Sequence, residues 1–148
     1  MTINGLPLHP LIVHATVATL PIFALVTLGY QRPRWQQALR WPLGALGVLS
    51  AFLVWLTSAS GDALNHDRFA TATGELAQRI HHHEDLAGKL AVVTYVVAAL
   101  AVLEALLRGR VPTIVTRIGA VLLVLGAIAI VVLAVLTGDA GAQAVWHS

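Results

Sequence analysis

Charged residues are missing from long stretches of this chain, and those stretches have nearly equal length. Residues 11–30, 43–60 and 118–137 carry no charge over 20, 18 and 20 positions, and residues 86–107 carry only Lys89 and Glu104 over 22. A helix rises about 1.5 Å per residue and the hydrocarbon core of a bilayer is about 30 Å thick, so some 20 apolar residues cross it. The pattern predicts four membrane spans in a single integral domain covering 1–148. The fold class is all-α, a four-helix transmembrane bundle running up-down-up-down. No Lys or Arg precedes the first run. A signal peptide places its positive charges there, so this run reads as a span.

Small residues and prolines suggest how the helices meet. Pro10 suits the first turn of span one, where its missing N–H costs nothing, and Pro21 predicts a kink in mid-span. Pro42 and Pro112 punctuate the connections at one end. Gly44, Gly47, Ala51 and Ser58 would let span two approach a neighbour closely, since packing drives association in lipid. Thr73 is a candidate N-cap with Glu75 in the following turn. From there Leu76, Ile80, His83, Ala87, Ala91, Thr94, Ala98, Ala101 and Ala105 recur at steps of three and four, the spacing of one packed face. The third helix is therefore expected to project beyond the membrane before its apolar part begins.

The charges orient the bundle. One side carries Arg32, Arg34, Arg40, Arg108, Arg110 and Arg117 against Glu104 alone. The other carries Arg68, Arg79 and Lys89 against Asp62, Asp67, Glu75, Glu84, Asp85 and Asp139. By the positive-inside rule the first side is cytoplasmic, giving an N-out/C-out topology with the 61–85 connection outside. Trp35 and Trp41 fit the inner aromatic belt and Trp146 the outer one. The pI near 9.7 then reflects short cytoplasmic loops, and nucleic acid is not the expected partner. With 57% hydrophobic and 11% charged residues, the chain resembles neither soluble nor disordered proteins. The expected location is a bacterial cytoplasmic membrane, with the lipid bilayer as first partner and oligomers through small-residue faces as a further expectation.

Candidate chemistry rests on seven histidines, all on the outer side or in the outer half under this topology. His14 alone lies inside an apolar run, where a polar side chain needs a partner or a ligand. Within the triplet His81, His82 and His83, only His83 falls on the small-residue seam. His14 and His83 are thus the expected inward pair, about 5 Å below and above the outer membrane edge, with His9 and His147 close by. Bundle cores commonly hold cofactors between facing helices. The chain has no Cys and its one Met is Met1. Histidine is therefore the expected axial ligand of a b-type haem serving electron transfer with a redox partner, with Tyr95 as an alternative ligand. A zinc or copper site using His81, His82 and Asp85 is a second reading, and Glu84 and His9 could add to it. A cofactor-free subunit that binds a partner protein is a third, in which His14 bonds a neighbouring helix and the triplet is a solvated helix start. Ser58, Ser60 and Asp62 close span two without a nucleophile elbow, so catalysis is not expected.

His9–Pro10 through His14 reads HPLIVH. This resembles the opening signature of small four-span bacterial membrane proteins grouped as domain of unknown function 2231, with Ala15 and Thr16 in place of that family's usual Phe-Pro. His83, Glu84, Leu86 and Ala87 resemble the start of its third helix. Thr137, Gly138 and Gly141 resemble the end of its last, and His147 stands near a histidine that usually follows. The resemblance covers nearly the whole chain and implies the four-span fold without supplying an activity. Members are sometimes joined to redox domains such as Rieske modules, which favours electron transfer.

Overall fold

A computed structural model describes residues 2–3, 6–64 and 73–146. Four helices carry the fold: α1 Leu8–Tyr30, α2 Gln36–Leu64, α3 Gly74–Leu107 and α4 Thr113–Trp146. A short 3-10 turn, Pro33–Trp35, leads into α2. The residue pairs Thr2–Ile3 (β1) and Leu6–Pro7 (β2) make a minimal antiparallel ladder before α1. The four apolar runs each fall inside one helix, and all four helices are long and apolar enough to cross a membrane. At 34 residues each, α3 and α4 extend about 51 Å, well beyond the hydrocarbon core. The expected projection of the third helix follows directly.

The expected start of α2 changes. Pro42 lies inside α2, which begins seven residues before the expected span; the connection from α1 shrinks to Gln31–Trp35. A proline early in a helix costs one N–H···O bond to the previous turn, here to the carbonyl of Ala38, and the helix absorbs that loss. Pro21 likewise sits within a continuous α1. Thr73 occupies the N-cap position in extended backbone, but its hydroxyl makes no capping bond.

The helices close into a ring in which α1 and α3 each pack on both α2 and α4. The α3 seam is buried where it was expected: Ala91, Thr94, Ala98, Ala101 and Ala105 all face the interior. Glycines set the spacing. A Cβ on Gly47 would stand 3.3 Å from the Ala98 carbonyl oxygen, and one on Gly44 3.2 Å from the Ala105 Cβ. Ser58, expected on the α2 seam, is exposed, whereas Ser50 and Ser60 are buried. Outward positions carry large apolar side chains such as Leu25, Trp55, Val92 and Ile128, as a surface facing lipid tails requires.

The buried positions repeat. Thr16, Leu20, Phe23, Ala24 and Thr27 of α1 have buried counterparts 74 residues on, Leu90, Thr94, Val97, Ala98 and Ala101 of α3. Leu43, Ser50 and Ser60 of α2 have them 80 residues on, at Leu123, Ile130 and Ala140 of α4. The α1–α2 and α3–α4 hairpins therefore present the same faces in the same order, as parallel repeats about an axis along the bundle do.

A paired histidine site at one end of the bundle

His9 and His83 occupy corresponding places in the two hairpins, 74 residues apart. Each rests on a glycine of the next helix. A Cβ on Gly61 would lie 3.1 Å from His9 Cε1, and one on Gly141 would lie 3.1 Å from His83 Cε1. Gly61 and Gly141 are themselves counterparts, each preceded at the same distance by a Leu-Thr pair, Leu56-Thr57 and Leu136-Thr137. A Cβ at either position would make the imidazole give by a few tenths of an ångström.

The hydrogen bonds orient both rings. His9 Nδ1 lies 3.0 Å from Ser60 Oγ, and the Ser60 hydroxyl donates to the Thr57 carbonyl, 3.0 Å away. A hydroxyl has one proton to give; with that proton committed to Thr57, Ser60 accepts from His9, so Nδ1 carries the proton of the neutral ring. His83 Nδ1 lies 3.0 Å from the Thr137 carbonyl, which only accepts, so its proton is also on Nδ1. Ala140 stands where the first hairpin has Ser60, so His83 bonds the threonine carbonyl, whereas His9 faces both the Ser60 hydroxyl and the Thr57 carbonyl. Both Nε2 atoms are left with a lone pair. The two rings are near enough to interact electrostatically.

One hydroxyl departs from the symmetry. Thr57 Oγ1 donates to the Leu53 carbonyl at 2.8 Å and lies 2.7 Å from Thr16 Oγ1. Thr137 Oγ1 is buried with no hydrogen-bond partner among the described residues. The counterpart of Thr16 is Leu90, which offers Thr137 no hydroxyl. Thr137→Val should therefore leave stability unchanged or raise it, while Thr57→Val should cost about 1 kcal/mol. Thermal midpoints in detergent measure the difference, and equal losses would refute the asymmetry.

The expected inward pair is corrected in one member. His83 is half-buried at the bundle interior, but His14 is exposed, and its Nδ1 bonds the Pro10 carbonyl of its own helix at 2.6 Å. The buried face of α1 runs through His9, Thr16, Leu20, Phe23, Thr27 and Tyr30 at helical steps of three, four and seven. His14 lies five residues past His9, about 140° around the helix. Lipid is as apolar as the bundle interior, so an uncharged run does not reveal which side of a helix faces inward. The missed residue is His9, which the sequence placed only nearby; the signal that finds it is the recurrence of His, Leu-Thr and Gly between the hairpins.

The alternative metal set is not assembled. His81 and His82 are exposed. His81 Nδ1 pairs with Glu84 at 3.3 Å, Asp85 pairs with Lys89 at 2.6 Å, and His82 lines a groove with Glu75 and Arg79. Among the described residues, no three His, Cys, Asp or Glu side chains form a group able to hold a metal ion. Tyr95 is exposed on the outer face of α3. His147 lies outside the described residues.

No curated protein and no solved structure matches this chain. The family model described as "Predicted membrane protein (DUF2231)" matches residues 5–148, and the chain, a membrane protein with four apolar helices, belongs to that family.

Proposed function

We infer that His9 and His83 are the axial ligands of a b-type haem, and that the protein passes electrons to a redox partner at the outer face of a bacterial cytoplasmic membrane. The observation that carries this reading is the shared tautomer: each Nδ1–H is held by an oxygen of the neighbouring helix, leaving Nε2 as the donor atom. Ligating histidines are oriented in this way, by a second-shell oxygen on the other ring nitrogen. The donor set suits haem better than zinc or copper. A haem iron needs no more than two ligands from the protein, whereas those ions ask for three or more side chains. Bound there, the iron supplies one-electron chemistry. The chain's own contribution is to fix two neutral imidazoles on separate hairpins, half-buried near the bundle end and therefore close to an aqueous partner.

The orientation belongs to the same proposal. The end with Arg32, Arg34, Arg40, Arg108 and Arg110 is cytoplasmic, and the histidine end faces outward. Guanidinium groups of Arg32 and Arg40 lie over the rings of Trp35 and Trp41 at 4.7 and 5.1 Å, an arrangement suited to the membrane–water boundary.

Protein expressed with ample haem should purify with the visible spectrum of low-spin haem. A colourless product would overturn the haem reading in favour of the cofactor-free subunit. Reporter fusions after Gln36 should report cytoplasm and after Thr71 the outside; the reverse would overturn the orientation.

A further inference from the structure

The end of the bundle opposite the histidines holds a cavity of about 320 Å³, lined by residues that include Tyr30, Gln31, Gln36, Glu104, Arg108 and Thr116. That volume is at the small end of ligand pockets, which run upward from about 300 Å³. All four helices contribute to it, and two opposite charges face into it. Glu104 and Arg108 are four residues apart, the spacing at which such a pair closes on itself. Arg108 turns away instead. Its Nη1 donates to Tyr30 Oη at 3.1 Å, its Nη2 donates to Gln36 Oε1 at 2.6 Å, and its guanidinium lies 5.7 Å from the centre of the Tyr30 ring. The guanidinium has five N–H donors, so donors remain for a ligand. Glu104 reaches towards α4, where Gly119 makes room for it: a Cβ there would stand 2.7 Å from Glu104 Oε1. Among the described residues no hydrogen bond reaches this carboxylate, and Arg108 acts on it through space alone. Glu104 is also the deeper of the two, about 6 Å further along α3 from the helix end. An ionisable side chain within a span marks a functional position.

The geometry points to this cavity as a binding site for a small zwitterion of the phosphoethanolamine type, its ammonium on Glu104 and its phosphate on Arg108. A simple cation would have to settle beside Arg108, and a simple anion beside Glu104. A molecule carrying both charges satisfies both walls, and the planar guanidinium fork suits a phosphate. The cavity lies where the helices leave the apolar zone, so the same chemistry can arrive as a phospholipid headgroup or as the free compound.

The test uses the full-length protein in detergent. Binding of short-chain phosphatidylethanolamine, short-chain phosphatidylglycerol and free phosphoethanolamine is measured on the parent, Glu104→Gln and Arg108→Lys. The parent should bind the ethanolamine lipid about ten-fold more tightly than the glycerol lipid, the worth of one charge-assisted hydrogen bond. Glu104→Gln, nearly isosteric, should abolish that preference while keeping the parent's thermal midpoint. Arg108→Lys, which loses the fork, should weaken both lipids. If free phosphoethanolamine displaces the lipid, the site serves the soluble compound; if the lipid binds and is not displaced, it serves the headgroup. Equal binding of the two lipids by the parent, or a preference that survives in Glu104→Gln, would overturn the assignment. The readout is independent of the histidine end, so it stands or falls apart from the haem reading.

Discussion

His9→Ala and His83→Ala are each expected to abolish the low-spin haem spectrum, while His14→Ala and His82→Ala leave it as in the parent. The contrast follows from where the rings sit. His9 and His83 are half-buried, seated on Gly61 and Gly141, with Nδ1 tied to the adjacent helix. His14 and His82 are exposed. Removing one axial ligand leaves a five-coordinate iron, so the low-spin bands disappear even where the porphyrin stays bound. A gentler pair sharpens the point. Gly61→Ala and Gly141→Ala keep both histidines but put a methyl group 3.1 Å from a ring carbon, closer than van der Waals contact allows, so each should shift the spectrum without bleaching it. Loss of the spectrum in His14→Ala with retention in His9→Ala would defeat the pairing, because the seats of both rings would then be misassigned.

Gly47→Leu should clearly destabilise the membrane part of the bundle. Position 47 is where α2 and α3 come together backbone to backbone: an added Cβ would meet the Ala98 carbonyl oxygen at 3.3 Å and Ala98 Cα and Ala101 Cβ at 3.4 Å. The neighbours are main-chain atoms and a methyl, none of which can swing aside, and Ala98 and Ala101 are themselves buried. Overpacking of this kind costs about 1–3 kcal/mol, and in lipid no hydrophobic gain offsets it, because the helices associate through packing alone. Leu25→Ala is the matched control. Leu25 is 68% exposed on the outer surface, and its truncation opens no cavity. Unfolding midpoints in detergent should fall clearly for the first variant and hardly for the second. A Gly47→Leu protein as stable as its parent would mean that α2 and α3 are not in close contact.

The sequence alone determined the number of helices, their approximate limits and the small-residue face of α3. Each depends on a one-dimensional quantity. Crossing hydrocarbon requires a length of uncharged chain, and a packed helix face requires small residues every three or four positions. Ala91, Ala98 and Ala105 announce themselves in that way, and so does His83, which lies in line with them. Only the tertiary structure decided which histidine joins it. In a soluble helix a polar residue marks the outside, but in α1 both the lipid face and the interior face are apolar, so His14 and His9 could not be told apart by hydropathy. Their difference is an angle of about 140° around the helix, made visible by the buried line from Thr16 to Tyr30. The tautomers were decided there as well, because they depend on Ser60 and on the Thr137 carbonyl, distant in sequence by 51 and 54 residues. The cavity at the other end was decided by the same kind of contact. Glu104 and Arg108 have the spacing of a helical ion pair, but Tyr30 and Gln36, brought in by two other helices, draw the guanidinium away.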